Sequence, residues 1–245
     1  MEEREDTIYL RSNINEIFAT TELMQYFSNP FSDAIELSIS FPIKEEISLT
    51  KFIVTVDDKI YMSKILEKEK AKEKYNDAIS SGNIGFYSRY EDKKMTKYSI
   101  NIGNTNPNQK VKLNTFFIQM INSYDMSYEF NIMENYPTFN YKESYCNSNE
   151  NNKRLKANFK IETQSKITRL ISPFLEKDNK NSNYEIVFND DYKNADIKCY
   201  RYLENVRKNE LEGKINRHIF PSNFCILFRT ENMNRPVLYY QYNPE

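Results

Sequence analysis

The chain has no tryptophan, one histidine, three cysteines and four glycines in 245 residues, and each scarcity removes a class of chemistry. Four glycines can hardly furnish the loops that let a backbone close on phosphate groups, and no Gly-rich phosphate loop, HExxH helix or nucleophile elbow is present. His218, in "NRHIFPSNF", has no Asp or Cys beside it and reads as a structural or surface residue, not a general base. Cys146, Cys199 and Cys225 are odd in number and widely spaced, which suits neither a disulfide framework nor a zinc site. No catalytic, metal-binding or cofactor-binding residue is therefore assigned, and reduced thiols are expected.

Long apolar runs are missing too. None approaches the ~20 residues of a membrane span, and the opening "MEEREDT" is acidic where a signal peptide would be basic and then apolar. No Asn-x-Ser/Thr sequon occurs, although asparagine is abundant. These absences lead to the expectation of a soluble, cytoplasmic chain.

Large side chains are plentiful, with 19 Tyr and 16 Phe, and 39% of residues are hydrophobic. The chain can bury a core, as one large domain or two ordinary ones. Formal net charge is −1, with acidic and basic residues interspersed, so nothing global draws the protein to nucleic acid or to an acidic membrane.

The local texture is mostly that of strands. "DAIELSISFP" puts Ile35, Leu37, Ile39 and Phe41 on one face at period two. "KFIVTVDDKIYMSKI" gives Phe52, Val54 and Val56, a polar turn without glycine, then Ile60 and Met62, as a hairpin would. Val111, Leu113, Thr115 and Phe117 alternate after "NTNPN", where Pro107 and Asn108 suit a turn. Only "KEKAKEKYNDAISSG", Lys68 to Gly82, reads as helix: Ala71, Tyr75 and Ala78 form a narrow stripe, Gly82 stands where a C-cap belongs, and the remaining positions are mostly charged. A polar stretch around "NSNENN" marks a boundary, beyond which "RLKANFKIET", "NYEIVF" and "NFCILFRT" suggest a second β-rich unit.

Clustered carboxylates are the remaining candidates for chemistry. "NDDYKNAD", Asn189 to Asp196, lacks the glycine of an EF-hand loop. "DMSYE", Asp125 to Glu129, only begins like the Asp-x-Ser-x-Ser metal loop of von Willebrand A domains, and its fifth residue is Glu129.

The order of elements from Ile8 to Ile121 resembles the VIT domain, the vault protein and inter-alpha-trypsin inhibitor module. The carrying residues are "YFSNPFSDAIELSISFP", which contains the F-x-N-P turn; Lys70, Ala71, Tyr75, Ala78 and Gly82 of the helix; and Gly103, Asn104 and Pro107 of a G-N-x-x-P turn. Lys70 stands where an acidic residue is common, and Asn108 replaces the glycine that usually follows the proline. The resemblance implies a mainly β chain. A VIT-like β-sandwich with one bracing α-helix would fill residues 1–125, and a second sandwich-like linking unit would fill 126–245. Phe220 to Glu245 looks like the end of the region that leads into a von Willebrand A domain, so a fragment of a longer protein is expected. The expected function is a non-catalytic protein–protein interaction or scaffold module whose partners include that following domain. The alternatives are a single-stranded nucleic-acid binder that stacks bases on its aromatics, and an enzyme working through scattered carboxylates.

Overall fold

The computed structural model describes residues 7–29, 31–43, 46–91, 97–131, 138–141, 154–172, 182–202, 205–206, 217–218 and 225–233. In chain order the elements are β1 (Thr7–Ile14), β2 (Phe18–Ser28), β3 (Ile35–Pro42), β4 (Ile47–Val56), β5 (Lys59–Met62), α1 (Lys68–Ser80), β6 (Gly85–Tyr90), β7 (Lys97–Thr105), β8 (Lys110–Met120), β9 (Asn122–Tyr124) and β10 (Ser127–Asn131). Then come β11 (Thr138–Tyr141), β12 (Arg154–Glu162), β13 (Ile167–Ile171), β14 (Ser182–Phe188), β15 (Asn194–Tyr202), β16 (Asn205–Val206), β17 (Arg217–His218) and β18 (Cys225–Thr230). The chain is mainly β with one helix among the described residues, as the sequence leads one to expect.

One long sheet organises the molecule, in the order β14-β15-β12-β1-β2-β8-β4-β5. It takes strands from both sides of residue 125. The junction is β1 against β12, a parallel pair from Thr7↔Arg154 to Ile14↔Ile161, while β1 and β2 pair antiparallel. A four-stranded sheet, β11-β3-β7-β6, and another, β13-β18-β10-β9, complete the core.

Alternation decides which side chains fill that core. Val111, Leu113, Thr115 and Phe117 are all buried, as are Phe52, Val54 and Val56, and all of these but Thr115 join Leu37, Ile39, Ile100 and Ile102 in one apolar cluster. Leu155, Phe159, Ile161 and Ile197 extend the same cluster toward Phe130 and Phe228 of the third sheet. There the Phe130 and Phe159 rings meet edge to face at 5.9 Å. The β4–β5 hairpin forms without glycine because Asp57 and Asp58 take positive φ, 46° and 65°, which short polar side chains tolerate. Its phase differs from a simple reading of the apolar residues. Val54 lies opposite Tyr61, so Tyr61 turns inward onto Phe86, with ring centroids 4.8 Å apart, and Ile60 and Met62 face outward.

Candidate functional site

The residues that carry the sequence motifs converge on the contact between α1 and the β6–β7 pair. No α1 residue is fully buried, so the helix is held by a few specific contacts and not by a broad apolar face. Gly85 and Gly103 stand opposite each other on β6 and β7. Two side chains missing from adjacent strands leave a hollow, and the Ile79, Tyr75 and Ala78 side chains are the nearest atoms over it. Ile79 lies four residues beyond Tyr75, one turn along the same face. The sequence stripe of Ala71, Tyr75 and Ala78 omits it, although its spacing was readable.

Polar groups fix the orientation of the helix. The Tyr75 hydroxyl donates to Glu36 Oε2 at 2.8 Å, and Asn101 Nδ2 donates to Glu36 Oε1 at 2.6 Å. Burial, and then the Glu36 carboxylate beside it, push the Tyr75 phenol well above its ordinary pKa, so it remains a neutral donor. Glu36 sits between the apolar positions of β3, where nothing in the local sequence distinguishes it from a solvent-facing carboxylate. At the helix C-terminus Gly82 takes φ 73°, its amide bonds to the Ile79 carbonyl at 3.0 Å and the Asn83 amide to the Ala78 carbonyl at 2.9 Å, which is a Schellman cap. Asn104 Nδ2 then donates to the carbonyls of Ile79 and Asn83, at 2.9 and 3.0 Å.

The two remaining motif turns are tied together by Asn29. It is fully buried and every polar group it has is used. Nδ2 donates to the carbonyls of Asp33 and Thr105, both at 2.8 Å, and Oδ1 accepts from the Phe31 amide at 2.9 Å. Its own amide reaches the Gln109 carbonyl, and its carbonyl accepts from the Asn108 amide. Asn108 has φ 58° and the Gln109 amide bonds back to the Asn106 carbonyl at 3.1 Å, as in a type II turn with Pro107 leading. Asparagine therefore supplies the positive φ that this turn position requires.

The other residues singled out from the sequence are not brought together. Cys199 is buried on β15, and Cys225 on β18 is half-buried, with its thiol pushed up to about 11, chiefly by burial. His218 lies on β17 by its backbone, and Cys146 is outside the described residues. The acidic stretch Asn189 to Asp196 spans the β14–β15 turn and the start of β15, where Asp191 Oδ1 accepts from the Lys193 amide and Asn189 Oδ1 from the Asn194 amide, both at 2.9 Å. Asp125 and Met126 form the β9–β10 turn, and their carbonyls accept from Arg229. The apolar residues near the C-terminus, Val237 to Tyr240, lie outside the described residues.

A buried carboxylate that sequence reading missed is Glu16, between β1 and β2. It is 7% exposed and accepts the Gln164 amide at 3.3 Å. Burial raises its pKa, partly offset by that hydrogen bond. No helix among the described residues is long and apolar enough to cross a membrane.

Residues 6–116 match the family model of the vault protein inter-alpha-trypsin domain. A von Willebrand factor A domain-containing protein of Dictyostelium discoideum is 32% identical over 104 residues, covering 42% of this chain and 11% of that protein. Von Willebrand factor A domain-containing protein 5A of Rattus norvegicus is 27% identical over 113 residues, covering 46% and 14%. Protein mono-ADP-ribosyltransferase PARP4 of Mus musculus is 25% identical over 113 residues, covering 46% and 6%. The chain thus spans only a small part of these relatives' length.

Proposed function

From the VIT domain at residues 6–116 as premise, we propose that this chain is a non-catalytic protein-interaction and scaffold module that works beside a von Willebrand A domain in a cytoplasmic protein. The observation that carries this reading is how the motif residues are spent. Asn29, Tyr75, Gly82, Gly103 and Asn104 are engaged in closing turns or docking α1. A signature whose described members are spent on closing turns and docking the helix suits a binding scaffold better than an enzyme. Similarity over 113 residues to relatives with such different printed names as a von Willebrand factor A domain-containing protein and a mono-ADP-ribosyltransferase supports a separable module.

Titration calorimetry of the purified chain against the isolated von Willebrand A domain of the Dictyostelium relative tests this. One-to-one, saturable heat with a dissociation constant of about 1–100 μM is expected for a contact of this kind. Absence of heat, together with a salt-dependent shift on a random single-stranded oligonucleotide, would replace the reading with nucleic-acid binding.

A further inference from the structure

The long sheet ends at β5, and no described strand pairs with its outer side. Natural edges are blunted by charge, proline, bulges or a covering element, because a bare edge offers unpaired N–H and C=O groups to any extended chain. β5 is short and begins with the exposed Lys59, yet it also displays Ile60 and Met62, 68% and 65% exposed, followed closely by Ile65 at 96%. The ladder fixes which backbone groups are free. The Ser63 amide bonds to the Phe52 carbonyl, and bonding sides alternate along an antiparallel pair. Lys59, Tyr61 and Ser63 therefore aim at β4, while the N–H and C=O groups of Ile60 and Met62 aim away from it.

We propose that β5 is the surface through which two copies of this chain join, antiparallel and edge to edge, about a twofold axis at Tyr61. The register follows from charge and apolar matching. A twofold axis at Ile60 would set Asp58 against Met62 of the second copy, and an axis at Met62 would set Ile60 against Lys64; each opposes a charge to an apolar side chain. With the axis at Tyr61, Ile60 meets Met62 twice and Asp58 meets Lys64 twice. In that register Ile60 and Met62 exchange both backbone bonds across the axis, so the free groups of both edges are satisfied. Asp58 and Lys64 are exposed. One short strand supplies both halves of the complement, which favours a second copy over a foreign peptide. The contact is small, so the dimer is weak and depends on concentration. This inference rests on the β5 edge alone: a monomeric chain that still binds its von Willebrand A partner would end it and leave the proposed function standing.

Sedimentation equilibrium of the full chain, from roughly 10 μM to 1 mM, reads the outcome. The mass is expected to rise from 29.3 kDa toward twice that value. Ile60→Lys, which puts like charge on both edges, weakens dimerisation at least about tenfold. Lys64→Asp, on an exposed residue outside any element, weakens it about threefold to tenfold, as two symmetry-related surface ion pairs are lost. Combining Lys64→Asp with Asp58→Lys recovers most of the loss, with thermal melts confirming that each variant folds. A monomer at every concentration, a dimer indifferent to Ile60→Lys, or a charge swap no tighter than Lys64→Asp alone would each overturn the proposal.

Discussion

Gly103 lies directly beneath the Ile79 side chain. A Cβ placed there would stand 2.7 Å from the Tyr75 hydroxyl oxygen and closer still to Ile79 Cδ1, so one added methyl group opposes both contacts that seat α1. Gly103→Ala is expected to cost about 1–3 kcal/mol in urea unfolding, as overpacking does. Gly85→Ala should cost less, because its nearest contacts are 3.1 Å. Equal stability of Gly103→Ala and the parent chain would mean that α1 docks elsewhere.

Tyr75 separates packing from hydrogen bonding. It is half-buried, so Tyr75→Ala should cost about 3 kcal/mol, the lower end for losing a packed aromatic. Tyr75→Phe keeps the ring and removes only the bond to Glu36, at about 1 kcal/mol. Denaturant midpoints for the two variants give the ratio directly, and a Phe variant as damaged as the Ala variant would contradict a seat made mainly by the ring.

Asn29 holds three backbone groups with one side chain. Asn29→Ala leaves the Asp33 carbonyl, the buried Thr105 carbonyl and the Phe31 amide without that partner, a loss of about 3 kcal/mol at roughly 1 kcal/mol per bond. Asn29→Asp should be no better at neutral pH, since a carboxylate cannot donate to two carbonyls. Calorimetric melting of both variants checks this.

For Glu16 burial holds the folded pKa above the ordinary carboxylate value, so its protonated form favours the fold. Its contribution is complete below the unfolded pKa and is lost as pH rises through the folded one. Glu16→Gln should therefore melt at the same temperature as the parent near pH 4 and at a higher temperature near pH 7. A variant that gains stability only on acidification would reverse the sign and refute the assignment.

Thr115 is 1% exposed, and its hydroxyl has no partner among the described residues. Thr115→Val replaces that oxygen with a methyl group of similar shape, and chemical denaturation should show a gain of about 1 kcal/mol.

Those residues also mark how far the fold could be read beforehand. Period-two alternation placed Val111 to Phe117 and Phe52 to Val56 correctly because each strand has one buried face, and helical spacing with a terminal glycine located α1. The hairpin phase was harder. Ile60 and Met62 look like core residues by composition, but two turn residues force Tyr61, not its neighbours, to lie across from Val54. The polar seat was hidden for a different reason. Glu36, Tyr75 and Asn101 come from three separate elements, and no local pattern reports that distant side chains share a carboxylate. Glu16 was invisible on the same ground, since the amide that meets it belongs to Gln164, far away in the sequence.

The parallel pairing of β1 with β12 also has a consequence for synthesis. Thr7 leaves the ribosome long before its partner Arg154, which lies on a strand late in the sequence order. Until then β1 has β2 on one side and a bare backbone on the other. Because such long-range pairing is slow to form, the nascent chain carries a sticky seam through the middle of its largest sheet for the interval between the two strands. Premature termination within that interval should yield an aggregating product, not a smaller folded one.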